Sequence, residues 1–132
     1  MTPELRWLAL GALLGLAQIL AAAVATIRQR EGGLAWAAGP RDTAPPPPQG
    51  VAARLTRARD NFLETFPLFV AAVAAAQLSG RAGAMSEWGA LLYVLARVAY
   101  VPTYALGLAV RPVVWGVSIL GLLMVLAAAL LG

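Results

Sequence analysis

The sequence predicts an all-α membrane protein, a bundle of four transmembrane helices forming a single domain over residues 1–132. Three observations carry that expectation. The chain is 61% hydrophobic and only 12% charged, with a mean hydropathy of +0.76, whereas a soluble domain is about half apolar and about a quarter charged. Apolar stretches of about 20 residues recur, the length that roughly 30 Å of hydrocarbon demands at about 1.5 Å per residue. Arginines, finally, are distributed unevenly between the connections.

The first span runs from about Leu5 to Ile27 and closes at Arg28 and Arg30. A secretory signal is its competing reading, with Leu8 to Leu20 as the apolar region and Ala23-Val24-Ala25 resembling a cleavage site. The flanks argue against it: Glu4 offsets Arg6 before the segment, and Arg28 and Arg30 follow it. Residues 29–50 carry Gly32-Gly33, Gly39-Pro40 and the run Pro45 to Pro48, with neither helical nor strand periodicity, and read as an aqueous loop. The second span is the apolar stretch 62–78, extended at its N-terminus by a helix from Val51 that protrudes from the membrane with Arg54, Arg57, Arg59 and Asp60. The third covers about 87–108 and the fourth about 112–131, with Pro112 suited to a first helical turn.

Sidedness follows from the arginines, since the chain has no lysine. Arg28, Arg30, Arg41, Arg54, Arg57, Arg59 and Arg111 fall on one side, and Arg6 and Arg81 on the other. The positive-inside rule then places the long first loop in the cytoplasm. Alanine richness and a short chain without a leader point to a bacterial inner membrane. The high pI of about 10.7 is explained by this sidedness, and nucleic acid is not an expected partner. With no Cys and no His, the chain offers no thiolate, imidazole base or usual zinc site, and no metal is expected.

The polar residues inside the spans carry the functional signal, because an ionisable group in a bilayer costs about 3 kcal/mol on insertion scales and needs a partner or a cavity. Arg54, Arg57, Asn61 and Glu64 are spaced 3, 4, 3 and share one stripe of the second helix. Tyr93, Arg97, Tyr100 and Tyr104 are spaced 4, 3, 4 on the third. A purely structural reading pairs Arg97 with Glu64 inside the bundle. Against it stands the excess of guanidiniums: Arg54, Arg57, Arg59, Arg97 and Arg111 meet only Asp60 and Glu64. That imbalance fits a small anion bearing carboxylates or phosphates, gripped by arginine forks, with Glu64 free to receive an ammonium. Gly11 and Gly15 form a GxxxG pair suited to close helix packing, Pro67 and Pro102 are expected to kink their helices, and the four tryptophans read as interfacial anchors.

The segment Arg54-Leu-Thr-Arg57-Ala-Arg-Asp-Asn61-Phe-Leu-Glu64-Thr-Phe-Pro67 resembles the RxxRAxxNxxExxP signature of the MAPEG family, membrane-associated proteins in eicosanoid and glutathione metabolism. Ala96-Arg97-Val-Ala-Tyr100-Val-Pro-Thr-Tyr104, followed by Arg111, is similar to that family's third helix and its exit loop. The resemblance implies a homotrimer of four-helix protomers with glutathione between subunits, acting on lipophilic small molecules. It implies that Arg57, Asn61 and Glu64 hold glutathione's polar ends, that Arg97, Tyr100 and Tyr104 contact its carboxylates and backbone, that Arg54 lies near the helix start, and that Arg111 is the catalytic cation that stabilises the thiolate.

Three positions depart from catalytic branches of the family: Thr65 after the motif glutamate, Ala105 after Tyr104, and Pro112 after Arg111. The leading expectation is therefore a glutathione-dependent transferase or peroxidase acting on lipophilic electrophiles. Its rival is a non-catalytic scaffold of the same fold that binds lipids or metabolites. A small multidrug exporter shares the size and span number but would be expected to carry a carboxylate in its first span, where this chain has Gln18 between Arg6 and Arg28.

Overall fold

A computed structural model describes residues 1–42 and 46–132, and those residues form α1 (Pro3–Arg28), α2 (Gly33–Ala38), α3 (Gly50–Leu78), α4 (Ala84–Ala105) and α5 (Arg111–Leu131), with no strand among them. Capping chemistry, rather than the edge of an apolar run, sets the start of α1. Thr2 accepts the Leu5 N–H at 3.4 Å, Pro3 occupies the first turn with Glu4, and Arg28 lies in the last turn, each on the favoured end of the helix dipole.

The first loop is not wholly irregular, contrary to the sequence expectation. Gly32, at φ 83°, reverses the chain, and Leu34, Ala35, Trp36 and Ala37 continue into the six-residue α2. Such a segment is too short to produce a readable period. Gln29 clasps the far end of the loop: its amide donates to the Gln49 carbonyl at 2.9 Å and accepts the Gln49 N–H at 3.0 Å. Pro45, the first of the proline run, lies outside the described residues.

Helix α3 is continuous from Gly50 to Leu78, so the arginine-bearing segment and the apolar stretch are one rod with Pro67 inside it. Helix α4 begins and ends about a turn earlier than its apolar pattern predicts. It stops at Ala105, where Gly107 turns left-handed (φ 66°) and the Leu108 N–H reaches back to the Thr103 carbonyl at 3.0 Å. Pro112 occupies the first turn of α5.

The long helices run up and down. At one end Gln77 donates to Thr2 at 2.8 Å, and Arg81 donates to the carbonyls of Ala129 and Leu130 at 2.9 and 3.2 Å. At the other, Arg54 Nε donates to the Ala105 carbonyl at 2.8 Å. Helices α4 and α5 approach most closely through Gly89 and Gly121. A Cβ on Gly121 would lie 2.6 Å from the Tyr93 nitrogen and 2.7 Å from the Gly89 carbonyl oxygen. Gly11 and Gly15 are buried against Phe66 and Phe62 of α3, so the GxxxG pair serves packing within the chain. The core between these contacts is built from Phe62, Phe69, Val73, Tyr93, Val94, Leu122 and Val125.

Three helices, α1, α3 and α5, are long and apolar enough to cross a membrane. Four apolar spans were expected. Although 22 residues long, α4 falls outside that set because Ser86, Glu87, Arg97, three tyrosines and Thr103 dilute its apolarity. It turns most of these inward: Ser86, Tyr93, Arg97, Tyr100 and Thr103 are all buried. The outer faces of α1 and α5 expose leucines instead, among them Leu13, Leu16, Leu20, Leu120 and Leu123. Glu4 is also buried, where Ser86 Oγ donates to it at 2.5 Å and Gln77 at 3.3 Å, joining α1, α3 and α4 at one end.

Candidate functional site

At the end of the bundle where α4 gives way to α5, the two polar stripes face one another. Helical spacing brings each set of side chains to one face, and the short turn Leu106–Val110 returns the chain so that Arg111, the first residue of α5, joins them. Arg57 Nε donates to the Tyr104 hydroxyl at 3.1 Å, with its guanidinium carbon 5.8 Å from the ring centre. Arg111 lies 4.6 Å from the same ring centre and donates to the Tyr100 hydroxyl at 3.4 Å. Arg97 lies 4.3 Å from the Tyr100 ring centre, and the two tyrosines meet edge to face at 5.6 Å. Tyrosine rings thus separate three guanidiniums while their faces and hydroxyls stabilise the positive charge.

Arg97 does not pair with Glu64 in the bundle. It is 1% exposed and donates through Nη1 to Asn61 Oδ1 at 2.9 Å, while Nε and Nη2 have no partner among the described residues. Asn61 and Glu64 are three residues apart, so Glu64 lies about 60° round the helix and a turn further along; its side chain is exposed and makes no ion pair. Among the described residues the one ion pair within 4.0 Å is Arg59–Asp60, at 2.8 Å. The excess of arginine over carboxylate that the sequence displays is therefore present in space as well.

Arg57, Asn61, Arg97, Tyr100, Tyr104 and Arg111 form one connected cluster. Arg54 is engaged at its margin, fastening α3 to the last carbonyl of α4. Glu64 lies on the same helix outside the connected set. Pro112 does not draw Arg111 away, since that side chain reaches both Tyr100 and Tyr104.

Position 65 has a partner that spacing could not reveal. Thr65 turns into the core, where its hydroxyl lies 2.8 Å from the Tyr93 hydroxyl. Tyr93 in turn stacks on Phe69 with ring centres 4.2 Å apart. Tyr93 shares the α4 stripe in sequence but supports the cluster from within the core. A buried hydroxyl needs a hydrogen-bonding partner, and the Thr65–Tyr93 pair meets that need across two helices.

Among curated proteins none matches the chain. The model of the MAPEG family matches residues 7–131, which runs from Trp7 within α1 to the last residue of α5 and includes every member of the cluster. Three helices long and apolar enough to cross a bilayer, together with a family match over nearly the whole length, make this an integral membrane protein that belongs to the MAPEG family.

Proposed function

We propose that the chain crosses the membrane four times, assembles as a homotrimer and binds glutathione at the arginine–tyrosine cluster, using it as a transferase or peroxidase toward lipophilic electrophiles. Family membership supports a glutathione-related membrane function in general terms. The observation that carries the finer reading is the cluster's unbalanced charge: Arg57, Arg97 and Arg111 are linked through Tyr100 and Tyr104, and among the described residues no carboxylate forms an ion pair with them.

The residues present fit such a ligand. Glutathione carries two carboxylates and one ammonium, and arginine grips carboxylates through charge-assisted bonds. The unpartnered nitrogens of Arg97 are donors in want of an acceptor, and exposed Glu64 is an acceptor in want of a cation. In a single protomer Glu64 lies on the outer face of an apolar helix, where a bare carboxylate is costly. A neighbouring subunit over that face, with the ligand's ammonium between them, removes the cost. The inward turn of α4's polar residues supports a fourth span in the same way, because it leaves apolar groups such as Leu95 and Val98 outside.

Glutathione supplies the thiol, and a free thiol has a pKa of about 8.5. Arg111, half-buried beside Tyr100 and Tyr104, is placed to favour the thiolate by charge. The remaining groups hold the tripeptide in one orientation while an electrophile arrives from the bilayer. Isothermal titration of detergent-purified protein with glutathione, followed by conjugation of a chromogenic electrophile by wild type and Arg111→Ala, tests this reading. Binding with Arg111-dependent turnover is the expected result.

A second reading, a binder without turnover, is favoured by Thr65: its hydroxyl is committed to Tyr93 and contributes nothing to the cluster. Binding of glutathione with no consumption of thiol would select it.

A further inference from the structure

A second cationic site lies on the other side of α3. Residue Arg59 follows Arg57 by two positions, which places it about 200° round the helix at 3.6 residues per turn. There it lines a cleft of about 310 Å³ between the end of α1, α2 and the start of α3, together with Arg30 and Arg41. These three guanidiniums come from three separate segments, and two of them, Arg30 and Arg41, converge on one indole. The Arg30 guanidinium carbon lies 4.2 Å from the Trp36 ring centre and that of Arg41 lies 5.4 Å from it. Arg41 takes up this position from a left-handed backbone, φ 56°, the one non-glycine residue so placed among the described residues, and its Nε donates to the Ala37 carbonyl at 2.9 Å.

The negative charge in contact with this group is insufficient. Asp60 accepts from Nε and Nη2 of Arg59, and neither Glu31 nor Asp42 forms an ion pair within 4.0 Å. Among the described residues Nε of Arg30 is buried with no partner. Two cations drawn to one indole repel one another, and an anion between them removes that repulsion. The cleft also has an apolar wall, made by Ala22, Ala23 and Ile27 of α1, and a hydroxyl at Thr26, whereas the Thr56 hydroxyl donates to the Ala52 carbonyl at 2.8 Å. A free inorganic anion has no use for that wall. An amphiphile does.

We propose that this cleft binds the phosphate headgroup of an anionic phospholipid, with Arg30, Arg41 and Arg59 on the phosphate, Thr26 on its ester or glycerol oxygens, and the acyl chains leaving along the apolar wall of α1. The site is separate from the arginine–tyrosine cluster and does not depend on its function. It makes lipid part of the structure that holds the first loop against the bundle, alongside the Gln29–Gln49 clasp.

Native mass spectrometry of the full-length protein in detergent, with phosphatidylglycerol or phosphatidylcholine added, tests the proposal. Wild type is expected to retain phosphatidylglycerol in preference to phosphatidylcholine. The double variant Arg30→Gln/Arg41→Gln is expected to lose that retention by about 25-fold, from about fivefold for each arginine at an anionic lipid surface. Arg41→Gln alone, which lies in a loop away from the bundle core, is expected to lose about fivefold with its thermal transition unchanged. Equal retention of the two lipids, undiminished retention by the double variant, or displacement of phosphatidylglycerol by inorganic phosphate at comparable concentration would each overturn the proposal, the last by identifying a free-anion site.

Discussion

Arg97 of α4 and Asn61 of α3 are joined by a single hydrogen bond of 2.9 Å, and among the described residues it is the one bond that the buried Arg97 guanidinium makes. The amide is neutral, so the pair aligns two helices without neutralising the charge. A carboxylate at the same place would have closed the site electrostatically. The asparagine leaves it open to an anion.

Replacing Arg97 with leucine removes both the charge and its burial cost, so the fold is expected to survive. An apolar side chain carries no desolvation penalty in the core, whereas a buried charge without an ionic partner does. Glutathione affinity, however, should fall by about 10- to 150-fold, the worth of a charge-assisted hydrogen bond of about 1.5–3 kcal/mol. Isothermal titration and thermal unfolding of Arg97→Leu measure the two effects separately. Unchanged affinity would remove Arg97 from the ligand site.

Arg111→Ala is expected to act on turnover more than on binding. Without the nearby cation the bound thiol's pKa rises toward its free value of about 8.5, so less thiolate is present at neutral pH. The rate at pH 7 should fall, by about tenfold for each unit of pKa regained, and recover as pH rises past that value. A pH profile of conjugation that drops equally at every pH would instead indicate misfolding or lost orientation.

The α4–α5 seam gives a stability contrast between two glycines of one helix. Gly121→Ala places a methyl 2.6 Å from the Tyr93 nitrogen and should destabilise by about 1–3 kcal/mol through overpacking. Nothing lies within 4 Å of the Cβ position at Gly116, and Gly116→Ala should stabilise by up to about 1 kcal/mol through helix propensity. Thermal melts of the two variants in the same detergent are expected to shift in opposite directions.

Thr65→Val keeps the shape of the side chain but removes the partner of the Tyr93 hydroxyl. The expected loss is about 1–3 kcal/mol of stability from an unsatisfied buried hydroxyl, with glutathione affinity retained. A selective loss of binding without destabilisation would place position 65 in the ligand site after all.

Much of the candidate site is legible in the sequence because helices convert spacing into direction. The 3, 4, 3 spacing of Arg54, Arg57, Asn61 and Glu64 and the 4, 3, 4 spacing of Tyr93, Arg97, Tyr100 and Tyr104 define two stripes before any coordinates are known. Spacing does not say how far round the neighbouring helix stands. That is why Asn61, and not Glu64, receives Arg97, and why Tyr93 at the head of its stripe turns to Thr65 in the core. The short α2 and the meeting of Arg30, Trp36, Arg41 and Arg59 were not readable at all, since they depend on the course of a loop with no period.

Composition, apolar length and the arrangement of arginines determine by themselves that this chain is a helical membrane protein with cationic stripes, because those properties are set by local solvation and by the fixed pitch of the α-helix. The relative rotation and depth of the helices were decided only in the packed bundle. They depend on where Gly89 and Gly121 let backbones approach and where Phe62 fills the gap beside Gly15. Contacts between residues far apart in the chain arise from shape, and one-dimensional spacing carries no record of it.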